Sequence, residues 1–173
     1  AGTICAGRYL IFVAGQNDAV ATSVAFARNS SYSLSGSFVI SHISTLVTAA
    51  LKQGQPGGPR EALGVVECRN VSAGLAAADI AVKRSSVRLL KLVAGQGIMG
   101  KSYFVLGGDV SSVNEAVEAA KNFLTGSSQS SPYADATGQR IQAGVGHTNQ
   151  LIEAVVLPTP DEAVVRALTG RLG

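Results

Sequence analysis

The sequence GKSYFVLGG at residues 100–108 decides the fold, because GRYLIFVAG at residues 7–15 repeats its pattern 93 residues earlier. Both stretches begin with Gly and a basic residue, continue through an aromatic and aliphatic run, and end at Gly. The similarity extends at the same offset into the next segment, where Val20, Val24, Ala27 and Arg28 match Val113, Val117, Ala120 and Lys121. Each copy therefore predicts a strand, a glycine-containing turn and a helix.

The offset between the copies then grows from 93 to 117 residues, since residues 38–40 (FVI) match residues 155–157 (VVL) and Leu51 matches Leu168. The second copy thus carries an insertion of 24 residues, which we place within residues 125–150. That stretch is rich in Gly, Ser, Gln and Ala, a composition typical of a flexible loop.

The repeat predicts one and a half domains. Residues 61–173 form a complete second domain, residues 56–60 a linker, and residues 1–55 the back half of a first domain. The counterpart of residues 61–96 would precede residue 1. A half domain leaves strand edges and an apolar helix face uncovered. We therefore expect that a partner supplies the front half or, as we favour, that a longer chain carries it before residue 1.

The second copy predicts an α+β domain of the ferredoxin-like βαββαβ type with one extra C-terminal helix. Its third strand is followed by Ser112 and Glu115, whose spacing is that of a capping box opening the second helix. The apolar face of that helix is predicted at Val113, Ala116, Val117, Ala120 and Leu124. The predicted elements are strand 62–68, helix 72–83, strand 87–94, glycine loop 95–100, strand 102–106, the helix after 112, strand 151–157 and helix 161–168.

Composition excludes several classes of protein. The chain of 173 residues has a net charge of +3 and only 14% charged residues, with no basic stripe of the kind that binds nucleic acid. No apolar run approaches the length that spans a bilayer, and two cysteines cannot form a disulfide framework. Nothing resembles a signal peptide. We expect a cytoplasmic protein that binds neither nucleic acid nor membrane.

Residues 95–102, GQGIMGKS, match the phosphate-binding pattern G-x-x-x-x-G-K-S. That site requires a helix to begin at the Lys-Ser pair, so that backbone N–H groups face the phosphates. Here the following residues, YFVLGG, predict a strand. We therefore expect a glycine-rich turn between two strands and regard a P-loop nucleotide-binding enzyme as the least favoured alternative. Ser, His and Asp form no recognisable nucleophile arrangement, so we expect no enzyme.

Three stretches resemble the bacterial microcompartment shell domain: residues 61–67 (EALGVVE), residues 77–83 (AADIAVK) and residues 107–110 (GGDV). The resemblance covers nearly all of 61–168 outside the insertion, and residues 3–51 as a partial first copy. It implies a structural protein of a microcompartment shell. Two copies in one chain imply the trimeric class, in which three chains form a pseudohexagonal tile alongside other shell proteins.

Residues 3–10 (TICAGRYL), together with Val113, Asn114 and residues 158–163 (PTPDEA), resemble an iron–sulfur subclass of these tandem proteins, found in propanediol-utilising compartments. The resemblance implies that Cys5 of each of three chains holds one shared [4Fe–4S] cluster at the central pore. A cluster normally takes four thiolates, but a threefold axis supplies one cysteine three times. The fourth iron then needs a non-protein ligand. Arg8 nearby favours a thiolate and an anionic cluster.

The same resemblance implies the other site residues. Lys83 follows the helix at the position that the family uses for contacts between tiles, and Ile98 replaces Cys5 in the second copy, which therefore has no metal ligand. Cys68, at the end of a strand, is predicted to be a core residue. Two alternatives to the cluster stay open: Cys5 is an ordinary loop thiol, or the pore is free of metal and conducts metabolites. If the cluster is present, we expect it to transfer electrons across the shell to encapsulated redox enzymes. The predicted pore-lining residues are Ile4, Cys5, Ala6, Gly7, Gly97, Ile98, Met99 and Gly100.

Overall fold

The structure is a computed structural model that describes residues 2–5, 7–52, 61–95, 97–127 and 149–170. A four-stranded antiparallel sheet with helices on both faces forms its larger part. We call the described residues 2–52 the N-terminal segment and residues 61–170 the C-terminal domain. The strands of the N-terminal segment are β1 (Gly2–Cys5) and β2 (Arg8–Leu10), and its helices are α1 (Asn17–Arg28) and α2 (Thr45–Lys52). The C-terminal domain comprises β3 (Ala62–Cys68), α3 (Val71–Arg84), β4 (Arg88–Ala94), β5 (Ser102–Gly108), α4 (Val110–Leu124), β6 (Leu151–Pro158) and α5 (Glu162–Thr169).

The predicted fold class is confirmed by the order of the strands in the sheet, β4-β5-β3-β6. Strands β3 and β4 are joined by α3 and separated in the sheet by β5, which is antiparallel to both. This is the split βαβ arrangement of a ferredoxin-like sheet. The predicted linker 56–60 and residues 128–148 of the predicted insertion lie outside the described residues. The backbone N–H of Gln150 donates to the carbonyl of Leu124 at 2.9 Å, so the two described ends of that segment lie side by side.

Small side chains let α3 and α4 pack closely on one face of the sheet. Alanine residues line the buried face of α3, and all five residues of the predicted apolar face of α4 are buried. A Cβ atom at Gly64 of β3 would lie 2.6 Å from Cγ2 of Val117, so α4 rests directly on the strand backbone at this point. The low aromatic content therefore reflects short distances between layers rather than a weak core.

The predicted start of α4 was wrong. The helix begins at Val110, and Asp109 is its N-cap, with the Asp109 carboxylate accepting the N–H of Ser112 at 2.8 Å. These bonds to backbone N–H groups hold the pKa of the Asp109 carboxyl below its ordinary value. Because an aspartate three residues earlier already accepts this N–H, the Ser112–Glu115 pair lies inside the helix and is not the cap.

The N-terminal segment packs against the C-terminal domain. Val47 and Ala50 of α2 belong to the same buried cluster as the apolar faces of α3 and α4. The ring of Phe38 lies 5.9 Å from that of Phe123 on α4, with the ring planes tilted by 55°. Residues 38–40 are not part of a strand, although they match a segment of β6 in the repeat. Their packing therefore joins the two parts of the chain through side chains.

Candidate functional site

The Cys5 turn connects β1 to β2 in a two-stranded antiparallel sheet. Gly2 pairs with Leu10, and Cys5 pairs with Arg8 after an irregularity in the register. Gly7 has a φ of +74°, a left-handed conformation that glycine adopts without steric cost. Ala6 lies outside the described residues. The backbone thus places Cys5 at the end of a strand, next to a tight turn.

A second turn, described at Gly95 and at residues 97–100, follows β4. The N–H of Gly100 donates to the carbonyl of Gly95 at 3.3 Å, and the N–H of Lys101 donates to that of Ile98 at 3.1 Å. Gly100, the repeat counterpart of Gly7, has nearly the same left-handed φ, +79°. Met99 is also left-handed and its side chain is 78% exposed. The two turns therefore share a backbone conformation at the position where the repeat aligns them.

The structure brings these two turns together. The Arg8 guanidinium donates through Nη1 to the carbonyl of Met99 at 2.9 Å. A Cβ atom at Gly100 would lie 2.8 Å from the same Nη1, and one at Gly95 would lie 2.3 Å from Cγ2 of Ile4. Two glycines thus make room for side chains of the Cys5 turn, and segments more than 90 residues apart in sequence become neighbours.

The N-terminus of α3 supports the second turn. The side chain of Asn70 caps this helix by accepting the N–H of Ala73 at 2.8 Å. The backbone carbonyl of Asn70 accepts a hydrogen bond from the Ser102 hydroxyl at 2.8 Å. Ser102 follows the second turn, and Val71 packs beside Gly95. The turn is therefore held at both ends by the first residues of one helix.

The phosphate-binding pattern in residues 95–102 does not form a phosphate site. Lys101 pairs with Glu67 at 3.3 Å between its Nζ and Oε1, and Ser102 begins strand β5 rather than a helix. The Ser102 hydroxyl is buried and donates to the carbonyl of Asn70. Because the backbone N–H groups of β5 belong to the sheet ladder, the geometry excludes the P-loop alternative.

Lys83 forms an ion pair within α3. Its Nζ lies 2.5 Å from Oδ2 of Asp79, whose side chain is fully buried, and Lys83 itself is 40% exposed. Oδ1 of Asp79 accepts the N–H of Ser44, just before α2, at 2.6 Å. This carboxylate therefore links the C-terminal domain to the N-terminal segment.

Cys68 is a core residue, as predicted. It is fully buried in β3, and burial raises the pKa of its thiol to about 12. Within the described ranges, no three His, Cys, Asp or Glu side chains cluster in a way that could hold a metal ion. None of the helices that the structure describes is long and apolar enough to cross a membrane.

Sequence reasoning missed the contacts between the two parts of the chain. The sequence indicated only a charge for Arg8 near Cys5, whereas this side chain bonds to the second turn. Asp79 stood out only as part of a shell-domain motif, although its spacing of four residues from Lys83 is that of a helical ion pair. The pairing of Phe38 with Phe123 has no local signal, because it depends on how the two parts pack.

Comparison with known proteins first gives the class. Residues 62–131 match the BMC domain, the stretch that contains β3, α3, β4, β5 and α4. The observed fold agrees with this match. The chain belongs to the bacterial microcompartment shell proteins, and it is a structural component of the shell rather than an enzyme.

Two individual proteins show how far the similarity extends. The chain is 33% identical to the bacterial microcompartment shell protein PduT of Citrobacter freundii over 167 residues, 96% of this chain and 79% of that protein. It also resembles the crystal structure of a microcompartment protein from Desulfitobacterium hafniense, with a TM-score of 0.59 and 27% identity. That alignment covers 75% of this chain and 60% of the other, so the chain spans less than two thirds of that protein.

Proposed function

We propose that three copies of this chain form a pseudohexagonal tile of a microcompartment shell, in which the Cys5 turns surround a central pore and hold one shared [4Fe–4S] cluster. The observation that carries the proposal is the contact between the Cys5 turn and the turn at 95–100, made by Arg8 and the Met99 carbonyl. A pore in a pseudohexamer is lined by loops of both repeats in alternation, and this contact sets one loop of each kind side by side.

The positions of the helices support a tandem arrangement. Helix α1 begins at Asn17 and α4 at Val110, at the offset of 93 found in the sequence. Helices α2 (Thr45–Lys52) and α5 (Glu162–Thr169) both have eight residues, and both ends match at the offset of 117. These agreements support residues 1–55 as part of a first shell domain and residues 61–173 as a second.

The donor set fits a cluster only across a threefold axis. Each chain offers Cys5 at a turn, whereas Cys68 is buried in β3 with a protonated thiol and is unsuited to binding iron. Three chains supply three thiolates, and a [4Fe–4S] cluster normally takes four ligands. A non-protein ligand would complete the set. When bound, the cluster supplies one-electron transfer, which would carry electrons across the shell to enzymes inside.

The chain's own residues prepare this site. The Arg8 guanidinium bonds to the second turn, and Arg8 pairs with Cys5 along the two-stranded sheet. A basic residue close to a cysteine favours its thiolate form. Ile4 packs over Gly95 and anchors β1, the strand that ends at Cys5. At the edge of the tile, Lys83, whose side chain is 40% exposed and paired with Asp79, would contact a neighbouring tile or another shell protein.

Anaerobic purification tests the cluster. We expect brown protein with about four irons per three chains, whose charge-transfer absorption bleaches on reduction with dithionite. Cys5→Ser should lose colour and iron, whereas the matched control Cys68→Ala, which also removes one thiol, should keep both. If the wild type stays colourless and iron-free after anaerobic reconstitution, the cluster proposal fails and the metal-free pore takes its place.

A further inference from the structure

Met99, the one methionine of the chain, joins the second turn to the Cys5 turn through the bond that its carbonyl accepts from Arg8. We propose that Met99 is a site of reversible oxidation by hydroperoxides, and that its sulfoxide releases the second turn from Arg8. This assigns a redox-sensitive modification site beside the Cys5 turn. It does not depend on the cluster, because every residue that it uses lies within one chain.

Met99 departs from the residue type that the rest of its turn uses. Four described residues of this turn have a left-handed backbone, and three of them are the glycines Gly95, Gly97 and Gly100. Met99 is the fourth, with a φ of +56°. A left-handed backbone costs free energy for a residue that carries a Cβ atom, so glycine would be favoured here. A methionine at such a position indicates a use for its side chain.

The Met99 side chain is open to solvent. It is 78% exposed, although methionine more often fills gaps in a hydrophobic core. A Cβ atom at Gly97 would meet no other atom within 4 Å, so the turn is open on that side as well. A hydroperoxide dissolved in water therefore has access to the thioether sulfur, which such oxidants convert to the sulfoxide.

The repeat places Met99 next to the position that matches Cys5. At the offset of 93, Ile98 corresponds to Cys5 and Met99 to Ala6, so each turn carries one sulfur-containing side chain. The third sulfur of the chain belongs to Cys68, which is fully buried. Burial raises the pKa of the Cys68 thiol to about 12, which keeps it protonated and unreactive. The oxidisable sulfur of this chain is therefore concentrated at the two turns.

The oxidation needs the hydroperoxide as its one co-reactant. A lone pair of the Met99 sulfur attacks the terminal oxygen of the hydroperoxide, the O–O bond breaks and an S–O bond forms. The proton of that oxygen passes to the leaving alkoxide or hydroxide, which becomes an alcohol or water. The sulfur loses two electrons and the peroxide gains them. Methionine sulfoxide reductases remove the added oxygen, so the modification is reversible.

The sulfoxide acts on the contact between the two turns. Nη1 of Arg8 donates to the Met99 carbonyl at 2.9 Å, and a Cβ atom at Gly100 would lie 2.8 Å from the same Nη1. The guanidinium thus lies against the backbone of the strained residue and helps to hold it. Oxidation creates a polar oxygen on that same residue, and this oxygen competes with the carbonyl for the guanidinium. The second turn is then released, and reduction restores the contact.

The test treats the full chain carrying Cys5→Ser with hydrogen peroxide, since that substitution removes the other reactive sulfur. Intact mass should show one added oxygen per chain, and the melting temperature followed by circular dichroism should fall by about 2–4 °C, as expected when one hydrogen bond is lost in a chain of this size. A methionine sulfoxide reductase should reverse both changes. Met99→Leu in the same background should gain no oxygen and keep its melting temperature. All samples are compared at one protein concentration.

A third variant tests whether the effect passes through Arg8. Arg8→Ala in the Cys5→Ser background should still gain one oxygen, but its melting temperature should no longer respond, because the bond is already absent. If peroxide adds no oxygen at Met99, the modification site is overturned. If the oxygen is added and the melting temperature stays constant, or falls equally in Arg8→Ala, the release of the second turn is overturned.

Discussion

The ion pair between Lys83 and Asp79 predicts that Lys83 stabilises the folded chain, in addition to any contact that it makes at the edge of a tile. Lys83→Ala removes the charge that faces a fully buried carboxylate. Breaking a buried pair by removing one partner costs about 3–5 kcal/mol, whereas exposed pairs contribute about 0–1 kcal/mol. Because Lys83 is 40% exposed and Asp79 also accepts the Ser44 N–H, we expect an intermediate loss of about 2 kcal/mol.

The control for this prediction is Lys121→Ala. Lys121 is 38% exposed, close to the value for Lys83, but its partner Glu118 is 58% exposed and lies 2.6 Å away on the same helix. The two substitutions therefore differ mainly in the burial of the carboxylate. We expect Lys121→Ala to cost about 0.5 kcal/mol or less in free energy of unfolding, measured by urea denaturation. If the two variants lose the same free energy, the structural role assigned to the Lys83–Asp79 pair is wrong.

Three further predictions concern stability. Cys68 should lower the free energy of unfolding by about 1.4 kcal/mol per pH unit between about pH 9 and 12. Its thiol stays protonated in the folded chain over this range and ionises in the unfolded chain. If the free energy of unfolding of Cys68→Ala depends on pH as steeply as that of the wild type, this explanation is wrong. A double-mutant cycle of Phe38→Ala and Phe123→Ala should give a coupling of about 0.5–1.5 kcal/mol, and no coupling would mean that the rings do not pack in solution. Asp109→Ala should lower the melting temperature at neutral pH, because it removes the cap of α4. The difference from wild type should shrink in acid, where the Asp109 carboxyl of the wild type, whose pKa is lowered by these bonds, becomes protonated. Ser112→Ala keeps the cap and should not show this pH-dependent difference.

The C-terminal domain could be predicted from sequence because its signals are local. The apolar run 62–68 coincides with β3, and the five residues predicted for the apolar face of α4 are all buried, together with Phe123, which was not predicted. The start of α4 was predicted three residues too late, because the Ser112–Glu115 spacing matches a capping box, whereas the N–H of Ser112 is itself capped by Asp109. The spacing of apolar residues predicts whether a segment is a strand or a helix, whereas the residue that caps a helix depends on backbone geometry that this spacing does not give.

The candidate site was harder to predict because it is assembled from distant segments. The repeat aligned Gly7 with Gly100, and the resemblance to shell domains implied that both turns line one pore. The contact between Arg8 and the Met99 carbonyl, however, follows from how the N-terminal segment packs on α3 and β4. The same packing explains why α2 and α5, which match in sequence, differ in burial.

Native mass spectrometry of anaerobically isolated protein tests the central claim most directly, because one spectrum reports both the number of chains and the bound iron and sulfide. We predict three chains carrying the mass of one [4Fe–4S] cluster, and three chains without that added mass for Cys5→Ser. Wild-type protein that forms trimers of unmodified chain mass after anaerobic reconstitution, or that does not associate, would contradict the proposal.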